Sequence, residues 1–170
     1  MKKQSGFSML EVLVSLLIIM IGALGMAGIQ MLSISNTEIA RYQSLAALLA
    51  SSMAAEIQGN QKYWGTAPTG ISVTGGAVSG GPSASSSCGS ACTASQVAGN
   101  TLQTWATSIA NVLPTANGSI SCSSTPATCT VQLQWQENNV ALNNAAGTGN
   151  YQFSGGQQSA QSYQTVVTVR

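Results

Sequence analysis

An uninterrupted apolar run near the N-terminus constrains this chain more than any other feature. No charged side chain lies between Glu11 and Glu38, and about 20 apolar residues suffice to cross the hydrocarbon of a bilayer. Lys2 and Lys3 precede the run, and the carboxylate of Glu11 lies at its start. A charged side chain at the centre of a membrane helix costs about 2.5–3.5 kcal/mol. We therefore expect a membrane-spanning helix in which Glu11 meets a partner charge.

The charges that flank the run predict its orientation. Lys2 and Lys3 precede it, whereas Glu38 and Arg41 beyond it cancel. The positive-inside rule then puts the N-terminus in the cytoplasm and the rest of the chain outside. All four cysteines fall on the outer side, which fits an oxidising compartment.

Composition argues against an enzyme. The chain has no histidine and no aspartate, and after Lys62 its only charged side chains are Glu137 and Arg170. Histidine-based acid–base chemistry, catalytic triads, paired carboxylates and carboxylate-rich calcium loops all lack their residues. A nucleic-acid surface would need clustered Lys and Arg. We predict no catalytic site, no cofactor, no metal and no nucleic-acid partner, and a nearly neutral polar surface suited to packing against proteins.

One long helix is predicted from Phe7 to about Ile57 or Gln58, since no proline occurs before Pro68. Gly22, Gly25 and Gly28 within it favour close packing against other helices. They also predict a soft point in the helix, because each glycine costs about 1 kcal/mol relative to alanine. Beyond Glu38 the pattern is amphipathic, with an apolar stripe formed by Ile39, Tyr42, Leu45, Ala46, Leu49, Met53 and Ile57.

A low-complexity connector is predicted over residues 65–95, with one short edge strand at 71–73. Thr93 and Gln96 can form a capping box that opens a second helix over about 95–113, ended by Pro114. Asn117-Gly118 predicts a tight turn. The apolar face of the second helix comprises Ala98, Leu102, Trp105, Ile109 and Leu113.

Antiparallel strands and a loop are predicted over residues 119–170. Alternation from Cys129 to Trp135 indicates a strand, residues 137–162 read as loop, and 163–170 as a closing strand. If Cys122 opposes Cys129 across a loop at 123–128, Ile120 opposes Val131 on the same face. Four cysteines allow three pairings; register favours Cys122–Cys129, and proximity favours Cys88–Cys92.

The expected fold is therefore α+β: a long N-terminal helix packed on a small antiparallel sheet, with a second short helix. We divide the chain into 1–6, a membrane-spanning or filament-core half at 7–34, and an outer head at 35–170.

The stretch from Gly6-Phe7 to Glu11, with the apolar run behind it, resembles the class III signal of type IV prepilins. The resemblance implies a type IV pilin-like fold and a cleaved leader at residues 1–6. A prepilin peptidase would cut between Gly6 and Phe7 and methylate Phe7. Glu11 would then meet the N-terminal amine of a neighbouring subunit.

Further stretches resemble the minor pilin family called type IV pilus modification protein PilV. They are residues 24–30, the second helix from Leu102 through Trp105 to Leu113-Pro114, and the strand from Val131 to Trp135. This resemblance implies a structural subunit that joins other minor pilins and primes pilus assembly, with a location at the pilus tip and a role in twitching motility and adhesion. Implied partners are other minor pilins, the major pilin, prepilin peptidase, inner-membrane lipid and a tip adhesin. The subunit would lie in the inner membrane before assembly and in the surface pilus afterwards.

Alternative interpretations remain. A pseudopilin of type II secretion shares the same N-terminal machinery, and a major pilin is a further option within the superfamily. An ordinary signal peptide with a cleavage site near Gly25-Met26-Ala27 would release a secreted binding module. A plain membrane anchor would explain the length of the run, but neither Gly6-Phe7 nor Glu11.

Overall fold

A computed structural model describes the backbone of residues 9–85, 91–144 and 151–169. The chain divides into two compact units, Met1–Glu38 and Ile39–Arg170. The elements confirm the α+β prediction of a long helix, a small antiparallel sheet and a further short helix. They are α1 (Met9–Gly59), α2 (Gln61–Trp64), β1 (Ile71–Thr74), β2 (Ala77–Ser79), α3 (Ala94–Val112), β3 (Asn117–Ser124), β4 (Ala127–Asn144) and β5 (Tyr151–Thr168).

Helix α1 ends at Gly59, close to the predicted end. Within the second unit it presents one apolar face to the core, because residues three and four apart share a helix face. Met53 and Ile57 are fully buried there, whereas Leu45 and Leu49 are partly buried against the same core. From Tyr42 to Ile57 the predicted stripe is thus the packing face of this half of the helix.

Helix α3 begins with the predicted capping box. The Gln96 backbone N–H donates to Thr93 Oγ1 at 3.3 Å, and the Thr93 backbone N–H donates to Gln96 Oε1 at 3.0 Å. Each side chain satisfies a backbone donor of the other residue. Every predicted apolar position of this helix is buried: Ala98, Leu102, Trp105, Ile109 and Leu113.

The sheet has the strand order β2-β1-β3-β4-β5 and is antiparallel throughout. Cys122 lies opposite Cys129 and Ile120 opposite Val131, in the predicted register. Alternate residues of a strand point to opposite faces. Ile120, Val131 and Leu133 accordingly turn one face towards the core, where all three are buried.

Two predictions about the connector and the following turn were wrong. Residues 71–79 form a hairpin, so β1 lies between β2 and β3 rather than at an edge. Gly75 and Gly76 supply the positive φ values, 57° and 82°, that a two-residue hairpin turn requires. Asn117-Gly118 belongs to β3 and makes no turn.

The strand boundaries beyond position 122 also differ from the prediction. Strands β3 and β4 stay paired as far as Ser124 opposite Ala127. The loop expected at 123–128 is therefore only Thr125-Pro126, which are joined by a cis peptide bond. Residues 137–162 contain most of a long hairpin: β4 and β5 stay paired out to Asn144 and Tyr151. Backbone hydrogen bonding therefore continues well past the last alternating apolar residue.

Candidate functional site

The carboxylate singled out from the sequence lies at the start of α1. Glu11 is in the first turn, exposed, and its backbone carbonyl accepts a hydrogen bond from Ser15 Oγ at 2.6 Å. A negative side chain is favourable at this end because the first-turn N–H groups carry partial positive charge. Gly6 and Phe7, the predicted cleavage and methylation positions, lie outside the described residues.

The helix that follows Glu11 exposes apolar side chains all round. Six consecutive residues, from Leu16 to Ile21, are between 47% and 64% exposed, and at 3.6 residues per turn they cover every side of the helix. A monomeric soluble protein seldom exposes a contiguous apolar patch larger than a few hundred Å². Among the described residues, α1 is the one helix long and apolar enough to cross a membrane by length and composition. Such a surface needs lipid or other apolar helices around it, consistent with membrane anchoring before assembly.

Three glycines of this helix have no other described residue packed against them. A Cβ added at Gly22, Gly25 or Gly28 would meet no atom within 4 Å. Each glycine nonetheless costs the helix about 1 kcal/mol relative to alanine. Small residues let a neighbouring helix approach closely, so these positions suit contacts with another chain.

In the second unit, Trp105 joins α3 to α1. Its indole Nε1 donates a hydrogen bond to the backbone oxygen of Leu49 at 2.9 Å, and its side chain is 5% exposed. The ring lies against Gly118 of β3, where an added Cβ would come within 2.9 Å of Trp105 Cη2. The indole of Trp105 therefore links α3 to α1 through the hydrogen bond and packs on β3 at Gly118.

The cysteines stabilise the turn end of the sheet. Cys122 and Cys129 form a disulfide with an S–S distance of 1.96 Å and a Cα–Cα distance of 3.9 Å. Cys92 is also disulfide-bonded, and Cys88 lies outside the described residues. The disulfides agree with the oxidising compartment expected from the sequence.

Glu137 occupies an unexpected position. It is 2% exposed, and its Oε1 accepts a hydrogen bond from Trp135 Nε1 at 2.8 Å. Its Oε2 is buried with no hydrogen-bond partner among the described residues. From the sequence, Glu137 was predicted only as one of the two charged side chains after Lys62, and its burial was not predicted. The parity it shares with Leu133 and Trp135 was the available signal, since alternate residues of a strand share a face.

A cleft of about 660 Å³ opens where α2 meets the start of α3, lined by Lys62, Tyr63, Thr66 and Val97 among others. Partial burial raises the pKa of the Tyr63 hydroxyl above its ordinary value.

The described residues contain no cluster of His, Cys, Asp or Glu able to hold a metal ion.

Comparison with known proteins adds one finding, at the N-terminus. Residues 1–27 match the family model described as the prokaryotic N-terminal methylation motif. Searches of curated proteins and of solved structures returned no match. The motif implies processing by prepilin peptidase and assembly with other pilins, and it suggests a structural subunit. It supports a type IV pilin or pseudopilin.

Proposed function

We propose that this chain is a minor pilin of the type IV pilus. It joins other minor pilins to prime filament assembly and sits at the pilus tip, where it supports twitching motility and adhesion. The observation that carries the proposal is the exposed apolar segment of α1 between Glu11 and Glu38, with the carboxylate of Glu11 at its start and inside the matched methylation motif. A soluble binding domain has no use for such a surface.

The proposed role of Glu11 follows from its environment. Apolar surroundings penalise a charged carboxylate that lacks a partner. Cleavage after Gly6 would create an amine at Phe7, four residues before Glu11 in the sequence. Pairing between the two, within one chain or between neighbours, would offset that penalty and orient each subunit as it enters the filament.

A deletion strain tests the function as a whole. Without this subunit we expect fewer surface pili, major pilin retained in the inner membrane, and reduced twitching and attachment. Type II secretion is measured in the same strain. Normal pili with blocked secretion would assign the chain to the pseudopilins, and normal pili with normal secretion would refute the priming role.

Glu11→Ala tests the pairing step. The variant should be processed and reach normal membrane levels, yet be depleted from sheared pili, because insertion tolerates the loss of a charge but docking does not. Glu38→Ala is the matched control, since Glu38 is an exposed carboxylate beyond the apolar run. Equal recovery of both variants in pili would contradict the pairing.

The glycine positions provide a second test of filament packing. Alanine at Gly22, Gly25 and Gly28 should strengthen the helix but lower incorporation into pili, since no described residue of this chain fills the space beside the glycines and a neighbouring helix can use it. Leu24→Ala, in the same segment, is the control.

N-terminal sequencing of the mature protein tests the alternative of a secreted binding module. A methylated Phe7 supports a pilin, whereas a mature chain beginning at Gly28 opposes it.

A further inference from the structure

Strand β5 forms one edge of the sheet, and its free side is long. Among the described residues β5 pairs only with β4, through an unbroken register from Ser159 opposite Glu137 to Thr168 opposite Thr128. The opposite edge of the sheet is the three-residue strand β2. The two edges therefore differ greatly in the length of backbone they expose.

The backbone groups on the free side of β5 can be identified. The Val169 N–H donates to the Ala127 oxygen at 2.9 Å, which makes this opposed pair hydrogen-bonded. Hydrogen-bonded and non-bonded pairs alternate along an antiparallel ladder, so the odd-numbered residues of β5 bond to β4. Backbone N–H and C=O groups directed away from the sheet belong to Ala160, Ser162, Gln164, Val166 and Thr168.

The disulfide supports this assignment independently. If odd-numbered residues bond across β4 and β5, the backbone groups of Cys129 face Val167 of β5 and not β3. Cys122 and Cys129 are then a non-hydrogen-bonded pair. Such pairs have the shorter Cα–Cα separation, and theirs is 3.9 Å.

Within the described strand, residues 159–168 lack the charges, prolines and bulges that commonly protect a sheet edge. Native edge strands avoid pairing by charge, proline, bulges or shortness. Residues 159–168 contain no charged residue, proline or glycine, and their register has no bulge. Core-facing Tyr163 is 36% exposed, although its neighbour Leu133 on β4 is fully buried. One more strand would cover Tyr163 and satisfy the outward backbone groups.

We propose that the free edge of β5, residues 160–168, receives an extended, uncharged strand from the head of a different pilin-type subunit in the same assembly. The inference rests on the proposed function and names the surface through which that function recruits a partner. Main-chain hydrogen bonds provide the attachment, and side chains beside the edge, including Tyr163 and Val166, select the strand.

A different subunit fits better than a second copy of this chain. Filaments grow through heterologous contacts, whereas a twofold pair closes on itself. Two β5 edges joined antiparallel would form such a closed pair. Of the strands that the structure describes, a copy added head to tail would offer only the edge of β2, three residues long, against a free edge spanning 160–168. A longer edge on another subunit satisfies more of the outward groups.

Alternation along β5 provides a matched pair of proline variants for the full-length chain in its host. Gln164→Pro removes an outward N–H and leaves the bonds to β4 intact, as proline is tolerated where an edge N–H faces solvent. Thr165→Pro removes a bond to β4 and should lower the melting temperature more. Gln164→Lys blocks the edge by charge and keeps the test valid if the proline variant fails to fold. Both Gln164 variants should be depleted from pili.

Photo-crosslinking identifies the occupant. With p-benzoylphenylalanine at Gln164, we expect an adduct to another subunit bearing a prepilin signal, mapped by mass spectrometry to an extended segment. The same probe at Ser119, exposed on the interior strand β3, should give no such adduct. Identical adducts from both positions, a second copy of this chain as the only product, or no adduct would overturn the proposal.

Failure of this proposal is distinguishable from failure of the proposed function. Wild-type recovery of both Gln164 variants in pili, together with loss of pili in the deletion strain, would overturn the edge and leave the minor-pilin role standing. Normal pili in the deletion strain would refute the role itself.

Discussion

Gly118→Ala should destabilise the head through a single methyl group. The added Cβ would lie 2.9 Å from Trp105 Cη2, 3.1 Å from Cζ3 and 3.3 Å from Ile109 Cδ1. Real side chains do not tolerate contacts this short, so the indole must shift. Trp105 is confined on its other side by the 2.9 Å bond from Nε1 to the Leu49 oxygen. Relief of the clash therefore weakens that bond.

Two contributions set the size of the effect. Overpacking a filled core typically costs about 1–3 kcal/mol, and loss of one intramolecular hydrogen bond costs about 0.5–1.5 kcal/mol. Together they predict a loss of about 2–4 kcal/mol in the free energy of unfolding. Guanidinium titration followed by tryptophan fluorescence measures it, because Trp64, Trp105 and Trp135 all lie in the second unit.

The control is Gly59→Ala, where an added Cβ meets nothing within 4 Å; its stability should be unchanged or slightly higher. Trp105→Phe removes the ring atoms nearest Gly118, so Gly118→Ala should cost clearly less in that background. Such non-additivity is expected of residues in contact. A Gly118→Ala variant within about 0.5 kcal/mol of wild type, or equal costs in both backgrounds, would refute the reasoning.

Three other outcomes are expected from the same unfolding assay. Replacing Cys122 and Cys129 by alanine should cost about 2–3 kcal/mol, as the short closed loop no longer restrains the unfolded chain. Glu137→Ala should be less stable than Glu137→Gln by about 1–3 kcal/mol, because only glutamine keeps an acceptor for the buried indole N–H. Burial raises the pKa of the Tyr63 hydroxyl. Its contribution to the free energy of unfolding is therefore fully present below the unfolded-state pKa of about 10, and it is lost as pH rises through the higher pKa of the folded state. In Tyr63→Phe the free energy of unfolding should depend less on pH over that alkaline range. Near-ultraviolet absorbance of the phenolate in the wild-type protein checks where Tyr63 titrates.

The features predicted correctly are those that residues close together in the sequence specify. The capping box needs only Thr93 and Gln96 at the right spacing, and the buried face of α3 needs only helical periodicity. The register of β3 and β4 follows because one alternating apolar row must face the core, and a slip of one residue would turn that row to solvent. Each of these signals lies within a few residues of the element it specifies.

The missed features depend on partners distant in sequence or on weak side-chain signals. Gly75-Gly76 is a recognised hairpin turn, but the surrounding Gly, Ser and Thr concealed it. Gly118 is a glycine because Trp105 lies over it, which no local pattern reveals. Beyond Glu137 the strands consist largely of polar and small residues, so pairing continues by backbone hydrogen bonding without an apolar alternation to announce it.

The burial of Glu137 has a consequence for the medium in which the head works. After Lys62 the sequence has two charged side chains, Glu137 and Arg170, and the structure encloses Glu137, which leaves Arg170 as the remaining charge. Ionic strength acts on exposed charges, with a screening distance of about 10 Å at 0.1 M salt. Contacts made by this surface should therefore be nearly indifferent to salt. A pilus that uses them would hold together in fresh water and in brine alike.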